Sequence, residues 1–288
     1  MDPNRMDDGF LQRYGSEEAC IGELYRNKWP DGYFCPVCRH RRASVIRTRR
    51  LPLYECRKCR HQTSLTAGTV MEKSKTPLRK WFLSIYWLGK GANARELSRL
   101  IQVTYKTAWL IGHKIRNAMR LAASELPLGG SVQVNEDRYE ATSFSSLFNQ
   151  NRKRQPMLAG ATLSEEGSLL RVKLYQVPAS HLLDGRVAKI AFQTFIEKCA
   201  LPESKVRIAA GIYNSARHRP LSRLCRDASR WLNTTFYGIR PKHLQAYLDE
   251  FGYRFHIGSA ELPLLLELSR QCASRRVITY RQLTRKVS

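Results

Sequence analysis

Four cysteines constrain this chain more than any other residues. Two residues separate Cys35 from Cys38 and two separate Cys56 from Cys59, with seventeen residues between the pairs. A CxxC turn brings two thiolates to one side of the backbone. Two such knuckles joined by a β-hairpin close a tetrahedral zinc site with Zn–S near ~2.3 Å. The intervening segments ASVIR and PLYEC supply the hairpin strands. An iron–sulfur site is the second choice, and a thioredoxin-like redox pair needs a βαβ context that is absent. So small a module buries little core, so structural zinc is part of its folding free energy. Cys20, Cys199, Cys225 and Cys272 are scattered and read as buried thiols in a reducing compartment.

The charge of the same segment points to a partner. Arg39, Arg41, Arg42, Arg47, Arg49, Arg50, Arg57, Lys58 and Arg60 face a single acid, Glu55. A solvated surface explains two or three of these, whereas nine on one small module favour phosphate contact. The whole chain repeats the bias, with 49 Lys and Arg against 24 Asp and Glu and a net charge of +25. That excess favours a polyanion, with nucleic acid ahead of an anionic membrane surface and DNA ahead of RNA. No apolar run is long enough for a membrane helix. The first twenty residues carry early acids and no apolar segment, which excludes a signal or transit peptide. The expected location is the cytosol, in association with the nucleoid.

Pattern divides the rest of the chain. Residues 10–30 read as a helical lead ended by Pro30 and Gly32. Residues 76–122 are helical with a break near Gly89 and Gly91, and have the cadence of a helix-turn-helix. Asn93 and Thr104 are its caps, and Tyr105, Ala108, Gly112, Ile115 and Met119 form the buried stripe of its last helix. Lys106, Lys114, Arg116 and Arg120 lie off that stripe and are candidates for a DNA groove. After the linker SELPLGG, alternation predicts strands at 131–134, 155–163 and 168–177, a helix over 180–199 capped by Ser180, and a strand at 205–209. Three strands, a helix and a strand are the opening order of an RNase H-like core, and of many other mixed folds. Residues 221–271 read as mostly helical, broken at TTFYGIRP.

These features together resemble the ISXO-like zinc-ribbon insertion-sequence transposases, a DDE-type family. The resemblance runs through FCPVCRHRR…YECRKCRHQTSLTAGTVMEKSKTPLRKWFLSIYWL, then ARELSRLIQVTYKTAWLIGHKIRNAM, then WLNTTFYGIRPKHLQAYLDEFGYRF. It implies an α+β multidomain fold: an N-terminal zinc ribbon, a helix-turn-helix, then a shortened RNase H-like α/β core. The expected boundaries are a lead at 1–32, the ribbon at 33–75, the helix-turn-helix at 76–123, a truncated transposase core at 128–258 and a basic tail at 259–288. It also implies transposition and DNA recombination at inverted-repeat element ends, self-association and no membrane partner.

At the family's catalytic positions this chain departs from the pattern. The resemblance aligns its first metal carboxylate with Asn135, its second with Ala210 and its third with Asp227. A Lys expected two residues after the third is Ser229. A stretch carrying one core strand is missing after HRP at 218–220, and HIG follows Phe255 where the family has Asn-Arg-Arg. Two-metal phosphoryl transfer needs several carboxylates around paired cations. An Asn brings no charge and an Ala no ligand. Glu136 and Asp137 are the possible substitutes, although alternation puts Glu136 on the opposite face and Asp137 ~6–7 Å further along. Two readings follow. One is a transposase-family protein impaired in catalysis, needing Mg²⁺ or Mn²⁺ only if the core site works. The other is an inactive DNA-binding regulator, or decayed element copy, on a transposase scaffold. A third is a zinc-ribbon RNA-binding or structural protein with no preference for an inverted-repeat duplex.

Overall fold

The computed structural model describes residues 8–141, 154–258 and 261–285. They fall into two compact units. One comprises residues up to Ala118 together with Glu261–Lys286, and the other runs from Met119 to Ala260.

The first unit is built around a helix that is apolar on all sides. In α3 (Leu78–Gly89) every residue from Trp81 to Leu88 is buried, so neighbours must surround it. Helices α1 (Asp8–Tyr14), α2 (Glu17–Lys28), α4 (Ala94–Leu100) and α9 (Glu261–Ser274) belong to the same unit, and α2, α4 and α9 pack against α3. Phe10 and Tyr14 of α1 meet Tyr86 and Phe82 of α3 at ring centroid distances of 4.6 and 4.7 Å. Pro77 offers α3 no side-chain cap, and Glu17 supplies one from α2. Its two carboxylate oxygens accept from the N–H groups of Leu78 and Arg79, each at 2.8 Å. Asn93 caps α4 in a reciprocal box with Glu96. Most of α5 (Tyr105–Ser124) follows after a turn with Gln102 at φ 51°. The segment expected as a basic tail holds α9, whose Leu264, Leu265, Leu268 and Cys272 are buried. Its leucines outweigh its charge, and it folds back onto α2 and α3.

A three-stranded antiparallel sheet joins this unit: β1 (Ala43–Ile46), β2 (Leu53–Cys56) and β3 (Gln62–Ser64), in that order. Trp29 and Tyr33 pack on Tyr54 of β2. The Lys28 ammonium donates to the carbonyls of Ser64, Leu65 and Ala67 at 3.1, 3.0 and 2.6 Å. Burial lowers its pKa to about 8.

The second unit is a mixed sheet between helices. Strands β4 (Ser131–Glu140), β5 (Arg154–Leu163) and β6 (Leu169–Gln176) form an antiparallel meander. Strand β9 (Lys205–Ala209) adds parallel to β4, giving the order β6-β5-β4-β9. Alternation sorts the side chains. Val132, Val134 and Leu158 face α6 (Lys189–Cys199) through Phe192 and Phe195. Tyr139, Met157, Ala159, Val172 and Leu174 face α7 (Arg219–Phe236) and α8 (Pro241–Ile257). A Cβ on Gly160 would stand 2.5 Å from Phe195, so the glycine lets that ring lie on the sheet.

The helix expected over 180–199 begins only at Lys189. A 3₁₀ turn (Ala179–His181) and a hairpin of two two-residue strands, β7 (Leu182–Leu183) and β8 (Arg186–Val187), precede it. Asp184 and Gly185 both have positive φ, the demand of a tight hairpin turn, and Asp-Gly meets it. That turn overrode the helical spacing of Leu182, Leu183 and Val187.

Candidate functional site

The two knuckles of the first unit repeat one another bond for bond. The Cys35 N–H donates to the His40 carbonyl at 2.9 Å, and the Cys56 N–H to the His61 carbonyl at 2.9 Å. The Arg39 and Arg60 N–H groups donate back to the Cys35 and Cys56 carbonyls, each at 3.0 Å. This closes each turn and aims two sulfurs at a common point. Cys35 and Cys59 Sγ are 3.6 Å apart, Cys38 and Cys56 Sγ are 3.5 Å apart, and all four lie within 4.8 Å of one another. A zinc ion at ~2.3 Å from four sulfurs requires edges of ~3.8 Å. The cluster fits a structural zinc. Among the described residues it is the one converging group of three or more His, Cys, Asp or Glu side chains.

Local dipoles favour thiolates at Cys35 and Cys56, while at Cys59 the His61 N–H is outweighed by the neighbouring thiols and burial, which push that thiol up. Desolvation pushes the Cys35 thiol up, but the N–H groups of Cys38 and Val37 and neighbouring thiols outweigh it, and its pKa falls to about 6. Cys56 is lowered against desolvation by the N–H groups of Cys59 and Lys58. Around this centre all nine basic residues of the ribbon, from Arg39 to Arg60, are exposed. Arg60 pairs with Glu55 at 3.1 Å.

The candidates on α5 divide. Lys106 is exposed, with its ammonium 5.1 Å from the Tyr280 ring centroid, and Arg120 is exposed. Lys114 and Arg116 are buried, at 8% and 2% exposure, and Lys114 lies over Trp81. The expectation that all four lie off the buried stripe fails at these two because α5 is covered on more than one side: His113, Lys114, Ile115 and Arg116 are buried in succession.

Midway along β4, where its pairing with β9 stops at Asn135, the polar groups meet one another. Asn135 is fully buried. Its Nδ2 donates to the His218 carbonyl and to Ser222 Oγ, both at 3.0 Å. Its Oδ1 accepts from Gln133 Nε2 at 3.2 Å and from the His218 N–H at 3.3 Å. One amide therefore grips both backbone groups of His218, the N-cap residue of α7. Asp137 lies two residues on and pairs with Arg217 at 2.5 Å, with each side chain under one-fifth exposed. Arg217 also donates to the Ile212 carbonyl. Glu136 is buried, and its Oε2 accepts from the Gly211 N–H at 2.8 Å.

Ala210 is exposed and directly follows β9, where Asn135 pairs in register with Ala209. Asp227 sits on the exposed side of α7 and pairs with Arg230 at 3.2 Å. On the β4 side of α7 stand Ser222 and Cys225, preceded by the backbone of the N-cap residue His218. Sequence reasoning marked Cys225 only as a buried thiol and did not single out Arg217 or Ser222. A polar residue on the buried stripe of an Arg-rich helix was the available signal for Ser222.

Comparison with known proteins supports the ribbon most directly. Residues 15–62 match the family model described as a transposase zinc-ribbon domain, of IS1595 type. The chain is also 32% identical over 131 residues to a protein of Halobacterium salinarum described as an uncharacterized protein in transposable element ISH50. That match covers 44% of this chain and 43% of the relative, less than half of either. No solved structure matches. Among the described residues no helix is long and apolar enough to cross a membrane. The N-terminal region is thus similar to a transposase zinc-ribbon domain, and the chain has a distant likeness to a transposable-element protein.

Proposed function

We propose that this chain is a DNA-binding protein of transposase type whose ribbon and α4–α5 helices grip duplex DNA, and whose core no longer supports efficient cut-and-join chemistry. The carrying observation is the ribbon itself: a four-thiol zinc site carrying nine exposed cations and similar to a transposase ribbon. In this reading α4, its turn and α5 act as the helix-turn-helix. Lys106 and Arg120 are the α5 cations that reach phosphate. The second unit is the shortened RNase H-like core, with β9 as an edge strand where a further strand is expected. Impaired catalysis is supported by the bonding of Asn135, the bare methyl of Ala210 and the outward Asp227. Paired element ends and self-association are part of the proposal.

Anisotropy titration of the full chain tests it, with inverted-repeat, scrambled and RNA duplexes in zinc and in chelator. Tighter binding to inverted-repeat DNA, lost on chelation, is expected. Equal affinity for RNA, or no effect of chelation, overturns it. A second reading keeps an active enzyme, because Glu136 and Asp137 both stand beside Asn135 on β4. Mn²⁺-dependent plasmid nicking, abolished by Glu136→Gln or Asp137→Asn in a folded chain, would establish that reading instead.

A further inference from the structure

Helix α7 carries Arg219, Arg223, Arg226 and Arg230, spaced by four, three and four. At 3.6 residues per turn they fall within about 60° of arc and form a column ~16 Å long. All four are exposed. The opposite side of the helix, Leu221, Leu224, Cys225, Ala228 and Leu232, is buried in the core against the sheet. Packing therefore fixes which way the column faces. The helix carries one acid, Asp227, which pairs with Arg230. Arg219, Arg223 and Arg226 have no carboxylate partner among the described residues.

A merely solvated helix face mixes signs, because like charges four apart destabilise a helix. Here Arg219 and Arg223 stand four apart, as do Arg226 and Arg230. The residue type is also uniform, with no lysine on the helix. Guanidinium matches phosphate through two parallel N–H donors, which ammonium does not. A column of this length meets about three successive phosphates of one strand, whose spacing along the backbone is roughly twice the ~3.4 Å axial rise. An anionic membrane is the poorer fit, since an interfacial helix inserts an apolar face and this one has buried its own.

We propose that the exposed face of α7 is a second nucleic-acid surface, an arginine rail that follows the phosphate backbone of duplex DNA without reading bases. It rests on the DNA-binding reading above and adds a contact in the second unit that requires neither zinc nor the ribbon.

The test is the salt dependence of duplex binding by the full chain, compared with R219Q/R223Q/R226Q/R230Q and with the same four positions changed to Lys. Each phosphate contact contributes about 0.9 to the slope of log K against log salt. The Gln variant is expected to lose about 3 units of slope, equally for inverted-repeat and scrambled duplexes. The Lys variant should keep most of the slope, and both variants should keep wild-type melting and zinc content. An unchanged slope in a folded Gln variant overturns the rail while leaving the DNA-binding reading intact. If the Gln variant melts early, R219Q/R226Q is read in its place, with about half the loss expected and no loss overturning the proposal. Wild-type protein that binds no duplex overturns both readings. A loss confined to phosphatidylserine vesicles or to RNA duplex overturns the assignment to DNA.

Discussion

The ribbon and the middle of β4 are both places where the sequence suggests a metal, and they bond in opposite ways. In the ribbon four like groups crowd within 4.8 Å of one another and exchange little but weak thiol contacts. Such crowding is unfavourable until a cation sits at its centre. At β4 unlike groups meet and satisfy one another: amide with backbone at Asn135, carboxylate with guanidinium at Asp137, carboxylate with N–H at Glu136. The contrast is between four thiols that surround a shared gap and polar groups bonded to one another. Convergence of polar side chains does not make a binding site. What matters is whether their bonding capacity points at each other or at a shared gap.

Removing zinc should break the comparison most strongly. Structural zinc sites of this kind are worth about 10–16 kcal/mol in apparent binding free energy at neutral pH. Chelation, or Cys38→Ser with Cys56→Ser, is expected to unfold the ribbon, read as rapid proteolysis within residues 33–65. The second unit should keep its fold, and a cooperative collapse of both units would contradict this account.

Next comes Asn135→Asp, which restores the expected carboxylate. It removes both Nδ2 donations and sets an oxygen against the His218 carbonyl. We expect a loss of about 2–4 kcal/mol in urea unfolding, with no saturable Mn²⁺ binding by calorimetry. A stable variant that binds Mn²⁺ would mean this stretch of β4 is still a metal site. Breaking the neighbouring ion pair should cost less, because it is not fully buried. Asp137→Asn or Arg217→Gln is expected to cost about 1–3 kcal/mol. The double variant should cost clearly less than the sum, whereas simple additivity would show that the pair is incidental.

These bonds also mark where sequence reasoning stops. Strand 155–163 and the start of β4 at 131–134 were legible because alternation reports a face directly, though β4 runs on to Glu140; 205–209 was legible from its β-prone residues, and Asn93 because capping is local. The CxxC pairs were legible because the turn geometry lies within four residues. The partners of Asn135 were not, since Ser222 is 87 positions away and comes into reach only through the packing of α7 on the sheet. Burial of Lys114 and Arg116 was missed for the same kind of reason: one helix shows its apolar stripe, but not how many neighbours cover it. The 180–199 segment failed differently, because a local Asp-Gly turn was present and the helical spacing was weighed above it.

The core is not satisfied everywhere, and Asp249 on α8 sharpens the contrast through pH. Its Oδ1 accepts from Gln245 Nε2 at 2.8 Å, while Oδ2 has no hydrogen-bond partner. Burial pushes its pKa up to about 6 from the usual 3.8. An acid raised on folding keeps its proton in the native state after the unfolded chain has released it. Its stabilising contribution is therefore full below about pH 4 and is lost as pH rises through about 6. Asp249→Asn should be more stable than wild type at neutral pH by on the order of 2 kcal/mol, with the gain vanishing near pH 4. A gain that is constant with pH would place the effect elsewhere.

The smallest effect tests what the ribbon gives up to face outward. Arg39 and Arg60 hold φ of 60° and 61°, the left-handed region that favours glycine. Each closes a knuckle, and each carries a guanidinium into the basic surface. Arg39→Gly and Arg60→Gly should therefore each stabilise the zinc-loaded ribbon by about 0.5–1 kcal/mol, seen as tighter retention against a chelator. If those guanidinium groups meet phosphate, each change should also lower the salt slope of DNA binding by about 0.9. Relief of strain without loss of slope would leave the arginines as solvated charges. Loss of both zinc retention and slope would mean that their side chains support the knuckles themselves. A rise in retention with a fall in slope is what a ribbon strained for an external partner predicts.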